Sequence, residues 1–182
     1  LYLSGKDALR DERREYFMRI LLEKQNSSGK TPGYDRLDME LLCKAVYLCN
    51  IGEMLTPEFS EKDTSANTMH QQHTELGAKI LQLNYAKDCE RFVQLCSDIC
   101  LHHHERYDGK GYPLGLAGEN IPLGARICAV ADTYDGITSW KPYKQKQTSG
   151  EEAVGLICRE AGRQFDPYVV DMFRRCADDM RG

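Results

Sequence analysis

Apolar residues recur along this chain at the three- and four-residue spacing of a helix face, and no segment alternates as a half-buried strand does. Leu9, Phe17, Ile20 and Leu21 share a face of a first helix from about Asp7 to Glu23, ended by Asn26-Ser27-Ser28-Gly29. A second helix runs from about Asp35 to Cys49, striped by Leu37, Leu41, Ala45 and Leu48, with Gly52 past its end. Gly52 to Ala66 reads as a loop. Asn67 caps a third helix carrying His70, His73, Leu76, Gly77, Ile80 and Leu81, and Asp88 starts a fourth running through Phe92, Leu95, Cys96 and Ile99. The stretch from Glu105 to Leu123 holds too much Gly and Pro to be a regular helix. A fifth helix spans Gly124 to about Ser139 and ends before Lys141-Pro142. Two more follow, one opened by the capping box Ser149 and Glu152, the other by Asp166-Pro167. The pattern predicts an all-α domain.

Composition narrows this picture. The 182 residues suit one domain with a continuous core, and the chain opens on Leu1, which suggests a fragment or a processed chain and leaves room for an upstream domain. No apolar run reaches the roughly 18 residues that would cross a bilayer. The net charge of −4, with both signs interleaved, gives no broad positive field for a nucleic acid polymer. Eight cysteines without a CxxC pair read as buried free thiols, against the alternative of a disulfide or thiolate metal site, and so point to a reducing cytoplasm.

The chemistry concentrates in two places. His102-His103-His104-Glu105 runs into the loop Arg106-Tyr107-Asp108-Gly109-Lys110-Gly111-Tyr112-Pro113. Adjacent imidazoles converge on a metal only where a helix ends and the backbone turns, which is where these lie; a solvated helix end is the other reading. Asp132 and Asp135 stand three apart on an otherwise apolar helix. A carboxylate there needs a metal, a cation or hydrogen-bond donors, and Arg126 is one available partner. His73, judged alone, is an ordinary partly buried histidine.

The run His103 to Leu116, with Ile121-Pro122-Leu123-Gly124-Ala125-Arg126-Ile127, Ala131-Asp132 and Lys141-Pro142-Tyr143-Lys144, closely resembles the HD-GYP family of bacterial cyclic di-GMP phosphodiesterases and their relatives. Weaker similarity covers His73-Thr74-Glu75-Leu76-Gly77 and Phe165-Asp166-Pro167. The resemblance implies an HD-domain-like bundle of about six to seven helices. It also implies a site for two or three metals, of which His73, His103, His104 and Asp132 match the ligands. The His-Asp-Ile-Gly-Lys motif that names the family reads here Cys49-Asn50-Ile51-Gly52-Glu53, and Arg13 and Phe17 stand near where an early Glu and His belong. Neutral Asn50 offers one good oxygen and cannot bridge two cations as Asp does. Cys49 suits zinc rather than a hard two-metal centre, Phe17 cannot ligate, and Glu53 reverses the sign of a lysine.

A catalytically inactive module is therefore expected, with Cys49, Asn50 and Glu53 as the degenerate positions. The residual ligands suit at most one Fe, Mn or Zn ion. By the same resemblance Tyr112, Asp135, Lys141 and Lys144 correspond to contacts with guanine or phosphate, Lys141 replacing the usual arginine. The helix dipole gives Lys141 and Lys144 a second reading, as exposed charges past a helix end. Tyr107, Tyr112, Pro113 and Leu114 would present the loop to a partner, GGDEF-domain proteins being the expected class. The alternatives are a sensor that binds cyclic di-GMP without cutting it and a residual metal-dependent phosphodiesterase.

Overall fold

The computed structural model describes residues 5–29, 33–55, 71–84, 89–139 and 148–181. Among these residues there are seven α-helices and no strand: α1 (Gly5–Ser28), α2 (Arg36–Ala45), α3 (His73–Asn84), α4 (Glu90–His102), α5 (Leu123–Thr138), α6 (Gly150–Arg159) and α7 (Pro167–Cys176). The all-α bundle expected from hydrophobic periodicity is the one that forms. Asn67, His70 and Asp88, expected at the starts of α3 and α4, and Lys141, Pro142 and Lys144 lie outside the described residues.

Helix α1 packs against α2, α5 and α7, and α5 packs in turn on α4, α6 and α7; α3 lies along α4. Phe17, Met18, Leu21 and Leu22 bury the inner face of α1. Phe17 meets Tyr134 of α5 edge-on at 5.0 Å between ring centroids, and Tyr134 meets Phe173 of α7 at 5.3 Å. These offset aromatic contacts tie three helices through one column of rings. Six of the eight cysteines are buried and all are free thiols, most of the buried ones filling space in the core as small apolar groups.

The start signals read at Ser149 and Asp166 appear as caps, and Asp35, where the second helix begins, is one as well. Asp35 accepts from the Asp38 amide at 2.7 Å, Ser149 from Glu152 at 3.2 Å and Asp166 from Tyr168 at 2.8 Å, with Pro167 in the first turn of α7. The second helix departs from expectation in two respects. Its α-helical part stops at Ala45, and the chain tightens into the 3-10 turns Val46–Leu48 and Ile51–Leu55. The Cys100 thiol, donating to the Leu48 carbonyl at 3.0 Å, satisfies that end from α4. Its buried face is Leu42, Cys43, Ala45 and Val46, whereas Leu37 is 63% exposed. This rotation places Asp38 in an ion pair with Arg91 of α4, a contact that spacing within α2 alone does not reveal.

Gly52 is not simply the residue after a helix. A Cβ there would stand 2.0 Å from the His73 carbonyl oxygen and 2.7 Å from the Gly77 amide nitrogen, so the turn lies directly on the first turns of α3.

Candidate metal and ligand site

Helix α4 ends at His102, and the backbone turns through His103 and His104. That turn brings His103 and His104 against His73 at the start of α3. One donor atom from each of the three imidazoles lies within 4.8 Å of the other two, a grouping that fits one metal ion. His103 Nδ1–H faces the carbonyls of Ile99 at 2.9 Å and Cys100 at 3.1 Å, which directs the lone pair of Nε2 toward His73 Nε2, 3.5 Å away. Burial pushes the His103 imidazole down to about 4, so it is neutral and available as a ligand at ordinary pH. His102 is also buried but is not part of this grouping.

Asp132 opens on the same cleft, yet its carboxylate is not among the clustered donor atoms. It is held from the other side. Arg14 Nη1 donates to Asp132 Oδ1 at 2.9 Å, and Arg10 Nη2 donates to the same oxygen at 3.3 Å. Burial alone would raise the Asp132 carboxyl; the charges of Arg14 and Arg10 and the hydrogen bond from Arg14 outweigh it and hold the group below its ordinary value. Arg126, named as a candidate partner for this residue, instead pairs with Asp166 and donates to the Ile121 carbonyl at 2.8 Å.

Arg14 is the functional residue that sequence reasoning missed. It is 3% exposed, and its guanidinium also pairs with Asp11 and donates to Cys49 Sγ at 3.3 Å. Burial acts to discharge it, but Cys49, Asp132 and Asp11 together raise it far above its ordinary value, so it stays charged. Cys49 in turn is hydrogen-bonded with Cys128; that contact, aided by Arg14, lowers the Cys49 thiol against the effect of its burial and raises Cys128. Arg13 turns away to Asp135 Oδ1 at 2.7 Å and Ser139 at 2.8 Å. Asp135 is fully buried, its second oxygen 3.5 Å from Arg10 Nε. Phe17 belongs to the aromatic column described above. The available signal was the match between Arg10, Arg13 and Arg14 on α1 and Asp132 and Asp135 on α5, both sets at helical spacing.

Asn50 sits in the turn after Val46–Leu48, where its carbonyl accepts from the Glu53 amide at 2.9 Å, and Glu53 is exposed. The loop beyond the histidines is built on Glu105, which is buried and belongs to the backbone rather than to the metal grouping. Its two oxygens accept from the amides of Leu114 at 2.7 Å and Leu116 at 3.0 Å. Arg106 grips Asp108 through two hydrogen bonds of 3.0 and 2.9 Å, and the Tyr107 amide donates to the Gln164 carbonyl at 3.1 Å. Tyr112 lies over His104 with the rings 24° from parallel, and burial pushes its phenol up to about 12, so it is a donor. Pro113 is half-buried and Leu114 is 59% exposed. The cleft beside the histidines has a volume of about 350 Å³ and takes in His103, His104, Lys110, Tyr112, Asp132 and Thr133. Among the described residues no helix is long and apolar enough to cross a membrane.

The profile of the HD domain family matches residues 10–169. The chain belongs to that family. Similar proteins include a cyclic di-GMP phosphodiesterase response regulator of Xanthomonas campestris, 46% identical over 103 residues, which are 57% of this chain and 26% of the relative. A cyclic di-GMP phosphodiesterase of Pseudomonas aeruginosa is 43% identical over 122 residues, 67% of this chain and 26% of its own length. A 3'3'-cGAMP-specific phosphodiesterase of Vibrio cholerae is 30% identical over 145 residues, 77% of this chain and 27% of its own length. This HD domain thus spans about a quarter of the curated relatives it matches. The crystal structure of a cyclic GMP-AMP phosphodiesterase from V. cholerae superposes with a TM-score of 0.64 at 17% identity, covering 92% of this chain and 44% of that one. The superposition supports the HD-domain bundle as the fold.

Proposed function

We propose that this HD domain is a degenerate HD-GYP module of cyclic di-GMP signalling that does not hydrolyse the nucleotide and acts through contacts made by its 107–114 loop. The observation that carries this reading is the buried Arg14 guanidinium among Asp132, Cys49 and Asp11. A cation already neutralises the late carboxylate, and Cys49 and Asn50 supply no bridging carboxylate in its place. The histidine grouping fits one ion, held by His73, His103 and His104, which would act as a Lewis acid on an oxygen ligand in the cleft. The surroundings of Asp132 do not fit a second.

The loop is suited to recognition because Glu105 and Arg106 fix its backbone from within, leaving Leu114 outward at little ordering cost on binding. A protein containing a GGDEF domain is the partner class to test first. Binding should fall at least tenfold in Tyr112→Ala and Leu114→Ala, and equal binding by both variants removes the loop from the interface. For the absence of hydrolysis, cyclic di-GMP turnover should stay at the level of His104→Ala after anaerobic loading with iron or manganese. Metal-dependent turnover that His104→Ala abolishes would overturn it.

A second reading, cyclic di-GMP as a bound effector, is favoured by the cleft itself, where Lys110 and the Tyr112 ring stand beside the imidazoles of His103 and His104. Calorimetry decides it: no heat with or without manganese removes the nucleotide as a ligand.

A further inference from the structure

Arg14 is almost fully buried, three groups engage its guanidinium, and one of them is the Asp132 carboxylate, which borders the cleft beside the histidine cluster. The Asp132 side chain is 20% exposed and borders the cleft with His103 and His104, so it is close enough to matter to any ion there. Oδ1 is nonetheless committed to two guanidinium donors, at 2.9 Å from Arg14 and 3.3 Å from Arg10. A carboxylate oxygen that already accepts two charge-assisted hydrogen bonds is a poor ligand, neither oxygen of Asp132 lies among the clustered donor atoms, and withdrawing this carboxylate would leave only Asp11 and Cys49 to compensate a buried guanidinium. Arg10 is half-exposed and can leave at low cost; Arg14 cannot.

We propose that Arg14, seconded by Arg10, is the resident cation of this site: it holds Asp132 out of the histidine cluster, which therefore takes one divalent ion on three imidazoles and favours zinc or cobalt over manganese. This rests on the cluster being a metal site. An all-imidazole donor set suits zinc and its neighbours, whereas manganese depends more on anionic oxygen, the donor that Arg14 withholds. Arg14 is thus a specificity-determining residue that touches no ligand in the cleft.

The test titrates cobalt and manganese into the full chain after chelator treatment, reading the cobalt d–d absorption and the affinities by calorimetry. Wild-type protein should give a cobalt spectrum that His103→Ala abolishes, and Asp132→Asn should leave its bands in place. The pair Arg10→Met and Arg14→Met should shift those bands and raise manganese affinity at least tenfold relative to cobalt, and adding Asp132→Asn should reverse both changes. A cobalt spectrum altered by Asp132→Asn alone overturns the proposal, because Asp132 is then already a ligand. So does a folded arginine pair variant with unchanged metal preference; circular dichroism establishes folding, and if that variant does not fold the Asp132→Asn arm alone decides. Absence of any cobalt spectrum dependent on His103 overturns the underlying metal reading instead.

Discussion

His103 illustrates how burial sets the chemistry of one side chain. The unfolded chain binds a proton on this imidazole near its ordinary value of 6.5, while the buried ring resists protonation until about 4. Between those values the unfolded state carries more protons, so stability is fully present above about pH 6.5 and is lost as pH falls toward 4. At about 1.4 kcal/mol per unit, the loss approaches roughly 3 kcal/mol in chelated protein. Denaturant titrations at pH 7 and pH 4.5 should show it in the wild type and show a smaller change in His103→Gln. Glu105 works differently, through geometry. Replacing it with Ala leaves the amides of Leu114 and Leu116 without their acceptor, at an expected cost of about 2 to 3 kcal/mol. Hydrogen exchange at those two amides should accelerate, whereas Glu105→Gln, which keeps one oxygen, should protect partially. The sequence marked both residues as chemically rich without telling a ligand from an anchor. That distinction depends on which groups the fold places opposite each, and no spacing encodes it.

At the level of elements, the helices were legible because their signals are local. Apolar spacing located the first five and capping signals the last two, and Ser149 and Asp166 mark starts that the caps reproduce. What escaped were features decided between elements. The rotation of α2 goes with its packing on α4, where Asp38 pairs with Arg91, and Arg14 acquires its role only when α1 meets α5. Gly52 belongs to the same class. Read locally it punctuates the chain; in the fold it lets the Ile51–Leu55 turn touch the backbone of His73 and Gly77. Gly52→Ala would drive a carbon against backbone atoms that no rotamer change relieves. A loss of about 3 kcal/mol or more is expected from chemical denaturation. Because the strain falls on His73 itself, cobalt affinity should drop as well, which a purely global destabilisation would not cause in the folded fraction.

Across the whole molecule, two structural tasks fall to separate parts of the fold. The column Phe17, Tyr134 and Phe173 fastens α1, α5 and α7, while the histidine cluster is assembled where α3 meets the end of α4. Phe173 is fully buried, and Phe173→Ala should cost about 3 to 5 kcal/mol through lost burial and the cavity left behind. An ion that binds only the folded state adds stability fixed by its free concentration relative to Kd, about 2.7 kcal/mol at a hundredfold excess. If column and cluster share no partner, the two effects add. Zinc should then stabilise wild type and Phe173→Ala by the same free energy, seen as equal displacements of their denaturation curves, and should leave His103→Ala unmoved. Unequal displacements would mean that the aromatic column helps to shape the cluster. The route for such coupling is α5, since Tyr134 follows Asp132 by two residues on that helix and any shift of the column would reach the carboxylate that Arg14 holds.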